Sequence, residues 1–172
     1  MRSLGIVALC ILAAVIYGIV HDQVTARVCV EYFTIGHPPV FRTESPTLLA
    51  LGWGIIATWW VGLGLGIPLA MAARWGQRPK RPLPSLIRPI AGLLVVMASC
   101  AFLAGLCGYA LGLSKVIYLV EPLASRIDPR RHALFLADGA AHLASYAVGF
   151  LGGVFVIRNV WTSRKPAQPI TE

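Results

Sequence analysis

The side chains able to do chemistry are few, and their positions are grouped. Asp138 and His142 stand four residues apart, so they share one helical face, with Tyr146 a turn further along. His21 and Asp22 close the first apolar run, Tyr17 lies one turn before His21, and Glu31 and His37 belong to the polar segment that follows. Imidazole and carboxylate together suit a transition metal such as zinc, iron or copper. The candidate metal ligands are therefore His21, Glu31, His37, Asp138 and His142, assembled from three separate segments. An aspartate one turn from a ligating histidine can also act from behind it, fixing its tautomer.

Two further chemistries use the same groups. Asp138 and His142 form an acid and base pair that passes protons or polarises a substrate. Bis-histidine haem ligation by His21 and His142 is the other, although neither residue lies in a haem-attachment pattern. Without any of these, the pair serves as polar glue between helices, and the loop histidines are solvated side chains.

No motif specifies a reaction. The chain has no metalloprotease-type histidine run, P-loop, dinucleotide fingerprint, nucleophile elbow or calcium loop. Cys10, Cys100 and Cys107 lie in apolar runs as small packing residues, and Cys29 stands alone in the first polar segment as a buried thiol, a soft ligand or an intermolecular bridge.

The elements that must hold these groups are membrane helices. With 57% hydrophobic and 13% charged residues and a mean hydropathy of +0.72, the chain carries more apolar surface than a soluble core of 172 residues buries. The expected fold is an all-α integral membrane protein, a single four-helix bundle with spans at approximately 4–21, 46–72, 89–113 and 131–157. A structured, partly extended outer loop (22–45), a basic inner loop (73–88) and an inner tail (158–172) complete it. The first span is slightly short for a hydrocarbon core of about 30 Å, and no small-x-small cleavage site follows it, which favours an anchor over a cleaved signal peptide.

Charge sets the expected orientation. With both termini inside, Arg2, Arg74, Arg78, Lys80, Arg81, Arg88, Arg158, Arg164 and Lys165 are inner and face one acid, Glu172. The outer segments balance Arg27, Arg42, Lys115, Arg126, Arg130 and Arg131 with Asp22, Glu31, Glu44, Glu121, Asp128 and Asp138, so the net charge of +8 falls on the inner side. Positive-inside bias accounts for the basic pI without nucleic acid as a partner. The partners expected are the bilayer itself, anionic lipid at the basic loop, and a second copy or another membrane subunit.

Local signals refine this outline. Ser45 ahead of Pro46, and Asp128 ahead of Pro129, are N-cap and first-turn pairs that start the second and fourth helices. Residues 74–89 hold four prolines and five bases and predict an extended, solvated loop. Arg27 to Ile35 alternates and predicts a short strand, stopped by Gly36, His37, Pro38 and Pro39. Gly62, Gly64, Gly66, Gly108, Gly112, Gly149 and Gly153 predict close helix contacts inside the bundle, ahead of a dimer face. Trp53 is expected as an interfacial anchor, with Trp59 and Trp60 in packing.

The reading that follows is a multi-pass protein with an outward-facing histidine and carboxylate pocket for a metal ion or a small polar ligand. Its alternatives are a structural or accessory subunit without turnover, and a proton-coupled small-solute transporter.

Overall fold

The computed structural model describes residues 2–164, so Lys165 and Glu172 of the expected inner tail lie outside the described residues. Four helices are long and apolar enough to cross a membrane: Ser3–Val28, Pro46–Arg74, Pro84–Leu113 and Pro129–Thr162. Each exceeds the expected range at one end or both. At about 1.5 Å per residue each is longer than a hydrocarbon core of about 30 Å is thick.

The first helix, α1 (Arg2–Val28), continues well beyond the apolar run, which corrects the expected end near residue 21. The strand expected at Arg27 to Ile35 is also corrected. After a single extended residue, Cys29, a short helix α2 (Val30–Thr34) follows, and no strand occurs among the described residues. A lone strand would leave its amides and carbonyls without partners, whereas Cys29 N still donates to Thr25 O at 2.9 Å and Tyr32 N to Cys29 O at 3.1 Å. Arg27 reinforces the last turn of α1 by donating to Gln23 O and to Thr47 Oγ1.

The second span is two helices, α3 (Pro46–Ile56) and α4 (Trp59–Arg74), interrupted at Ala57 and Thr58. The Thr58 hydroxyl donates back to the Gly54 carbonyl, a competing bond that bends helices. Pro46 starts α3 as expected, but Ser45 makes no side-chain cap. The third span, α5 (Pro84–Leu113), starts five residues before Pro89, shortening the basic loop. After α6 (Leu123–Arg126) and a 3-10 turn over Pro129–Arg131 comes α7 (His132–Thr162). Asp128 does cap that turn, accepting from Arg130 N at 2.9 Å, and the Arg130 hydrogen bonds hold its carboxyl down at about 2.

Packing makes two pairs. α1 lies along α3 and α4, α5 lies along α7, and α4 joins α7, while α1 barely meets α5 or α7. The first pair approaches backbone to backbone. A Cβ on Gly54 would sit 2.6 Å from Ile19 Cα, and one on Gly62 would sit 2.6 Å from Ile11 Cα. Gly108, Gly112, Gly149 and Gly153 likewise face neighbouring helices, whereas Gly64 faces open space. Trp59 and Trp60, expected in packing, are instead 46% and 54% exposed on the outside of the bundle, where lipid would bury them.

At the basic end, all four spans close around Ile6, Cys10, Leu69, Ala73, Leu86 and Val160. Arg164 organises this end. Only 1% exposed, it donates to the carbonyls of Ala72, Trp75, Arg78 and Pro79, so one guanidinium gathers the last carbonyls of α4 and the loop after it. The loop expected to be extended and solvated is thus partly ordered. At the opposite, capped end, α2 packs through Phe33 on Ala26, Leu49 and Ala50, and Cys29 packs with Ile127 and Phe135. Between the two closed ends, toward the cap, the helix pairs stand apart and leave space.

Candidate functional site

That space holds His21, Asp22 and His142, whose donor atoms all lie within 4.8 Å of one another. α1 supplies the first two because it stays helical past Val20. Asp22 belongs to a stripe of small residues, Ala14, Gly18 and Ala26, at four-residue spacing, and it is only 5% exposed. α7 supplies His142, whose Nε2 lies 3.3 Å from Asp22 Oδ1. One turn deeper, Tyr17 and Ser145 share a hydrogen bond of 2.8 Å, so α1 and α7 meet through polar side chains here.

The hydrogen bonds assign the tautomer of His142. Its Nδ1 lies 2.8 Å from the Asp138 carbonyl, which can only accept, so Nδ1 carries hydrogen and donates. In the neutral ring Nε2 is then a bare lone pair facing the Asp22 carboxylate. Two lone pairs repel unless a proton or a cation lies between them. His21 adds a third donor, because its Nε2 is buried with no hydrogen-bond partner among the described residues. The His21 and His142 rings meet edge to face with centroids 4.6 Å apart, which leaves no room for a porphyrin between them and removes bis-histidine haem ligation by this pair.

The surroundings are aromatic. Tyr32 stacks on His142 with centroids 4.5 Å apart. A cavity of about 100 Å³ next to the group is lined by His21, Asp22 and His142 together with His37, Trp53 and Tyr146. Trp53, expected at the interface, is therefore part of the cavity wall, 4.8 Å from the His37 ring. His37 reaches this wall from the cap, its Nδ1 donating to the Tyr32 carbonyl at 2.7 Å. Two cavity-lining histidines thus have Nδ1 committed to a backbone carbonyl, the arrangement that fixes ring orientation in metal-ligating histidines.

The other candidates stand elsewhere. Asp138 is one turn from His142 and 2% exposed; its carbonyl, rather than its carboxylate, holds the imidazole, and its Oδ2 has no partner among the described residues. Glu31 lies in α2 and pairs with Arg131 at 3.0 Å, and Arg131 also donates to the Val28 carbonyl. Burial works against ionisation of Glu31, but the hydrogen bonds from Arg131, a backbone amide and Cys29, together with the Arg131 charge, outweigh it and lower the carboxyl below its ordinary value. The Cys29 thiol donates to Glu31 Oε2 at 3.3 Å; burial and this bond push it up to about 12, so it is an inert thiol of the cap. His132, at the start of α7, bonds Ile127 O at 3.0 Å. Asp22 is the residue absent from the expected ligand set, and the small-residue stripe of α1 was the signal for it.

Three comparisons with known proteins bear on this site only by their silence: no family model, no curated protein and no solved structure matches the chain.

Proposed function

We propose that this chain is an integral membrane protein that binds a divalent transition metal of the zinc class between α1 and α7, through His21, Asp22 and His142. The observation that carries this reading is the committed Nδ1 of His142, which turns a free Nε2 toward Asp22 beside the unpartnered Nε2 of His21. Small side-chain adjustments would bring three such donors to about 2.0–2.2 Å from one ion. Two histidines and one carboxylate are the protein donor count of catalytic zinc sites, which keep a further position for water or substrate, and the cavity lies beside these three residues. An ion held there would supply Lewis acidity toward a bound water or a carbonyl.

Positive-inside bias supports placing the capped end, and with it the site, on the outer side of the membrane, with the basic end against anionic headgroups. The second reading is an accessory subunit in which a protonated His142 clasps Asp22 and joins the helix pairs without a ligand, as their 3.3 Å separation permits.

Elemental analysis and zinc titration of the detergent-purified protein separate the two. The metal reading expects one zinc per chain, lost in His142→Ala and Asp22→Asn at matched folding, and retained in Glu31→Gln. A wild-type protein that stays metal-free after supplementation with zinc, iron and copper leaves the clasp.

A further inference from the structure

The cavity beside the histidines does not end at them. A second cavity of about 80 Å³ lies deeper in the bundle and is lined by Leu65, Leu69, Ile90, Leu93, Leu94 and Gly153 among others, none of its walls bearing a side-chain oxygen or nitrogen. The two share Ala14, Val61, Met97 and Gly149 as common wall. Polarity therefore falls along one path, from ionisable donors near the cap to hydrocarbon in the middle of the bundle. Glycine keeps the α7 wall open: a Cβ on Gly149 would sit 3.0 Å from Met97 Cε, and one on Gly153 would sit 2.8 Å from Leu65 Cδ1. The cavity runs between the helix pairs, where α1 and α5 barely meet.

We infer that the site accepts a single-chain amphiphile, with an oxygen-donor head at His21, Asp22 and His142 and its hydrocarbon chain in the apolar cavity. The inference rests on the metal reading above. A hydrophilic ligand would leave the deeper cavity empty, and cavities of about 100 and 80 Å³ suit one chain rather than two. The ligand would enter from the membrane along the α1 and α5 seam with its head at the capped end. No bond is made or broken in this proposal.

Straight-chain hydroxamates test it, since the hydroxamate head chelates zinc while the chain length varies. Acetohydroxamate, octanohydroxamate and dodecanohydroxamate are titrated calorimetrically into the zinc-loaded protein, with the zinc-free protein measuring partition into detergent. The expected result is tightening with chain length of up to roughly fourfold per methylene until the cavity is full. Leu94→Trp and Val156→Phe, which fill the apolar cavity from two different helices and do not line the cavity at the histidines, should abolish that dependence while zinc content and acetohydroxamate affinity stay at wild-type values. Affinity independent of chain length in the wild type overturns the inference and leaves the metal reading intact. So does unchanged chain dependence in both filled variants. Failure of the wild type to hold zinc overturns both.

Discussion

Gly18 couples the packing of α1 to the geometry of the site. A Cβ at this position would lie 2.5 Å from Thr58 Cγ2 and 2.7 Å from the Gly54 carbonyl oxygen. Carbon contacts settle near 3.5–4.0 Å, so Gly18→Ala must push α1 off α3 by about 1 Å. Thr58 cannot simply rotate away, because its hydroxyl is bonded to that same Gly54 carbonyl. Overpacking of this kind costs about 1–3 kcal/mol. Asp22 lies one turn further along α1, so the displacement also widens its 3.3 Å approach to His142 Nε2. Metal sites tolerate only about 0.2 Å in ligand distance, so zinc affinity should fall at least about tenfold, or 1.4 kcal/mol. Unfolding in mixed micelles and zinc titration measure the two effects on one sample. Thr58→Ser in the Gly18→Ala background removes the methyl contact and leaves the carbonyl contact, and it should restore part of both. Gly64→Ala, where nothing lies within 4 Å, is the control and should match wild type. If Gly18→Ala behaves like Gly64→Ala in stability and zinc binding, the close approach of α1 and α3 does not set the site.

Two further outcomes are expected. Arg164→Ala strips four carbonyls of their donor. Each bond to a charged group contributes about 1.5–3 kcal/mol, but carbonyls at the end of a bundle regain water, so a net loss of about 3 kcal/mol is expected, with faster proteolysis between residues 75 and 83. A loss under about 1 kcal/mol, or unchanged proteolysis, contradicts this role. The tie between Glu31 and Arg131 should show in the pH dependence of the cap. Because the Glu31 carboxyl titrates below its ordinary 4.5 when folded, the tie contributes fully above that value and is lost as pH falls through the folded one. Both side chains are partly solvated, which limits it to about 1 kcal/mol. Protection of amides 29–36 against exchange, taken relative to the intrinsic rate at each pH, should fall by roughly fivefold as pH drops below 4.5, and Arg131→Gln should remove the dependence; the same loss of protection in Arg131→Gln assigns it to another group.

How much of the protein was legible before folding depends on the range over which each signal acts. Four helices long and apolar enough to cross a membrane follow from hydropathy and length, the helix being the form that satisfies its own backbone in an apolar surrounding. Pro46 and Asp128 marked helix starts because first-turn proline and N-cap chemistry act within a few residues. The end of α1 was not legible. Its apolar run stops at Val20, whereas its last turns are buried against α3 and the cap through Thr25 and Ala26. The same tertiary burial overrode the alternation that predicted a strand.

Residue types and spacing alone singled out His21 and His142, since ionisable groups in apolar spans are costly and therefore few. That they meet, and that Asp22 meets them, was decided only when α1 and α7 came together at the capped end. The same holds for Glu31, drawn to Arg131 a hundred positions away in the chain, and for Arg164, drawn to the carbonyls closing α4. Composition and periodicity report on what each segment buries. Which donor faces which acceptor is set by the crossing of helices distant in sequence, through close approaches such as Gly18 on Gly54 that no single segment encodes.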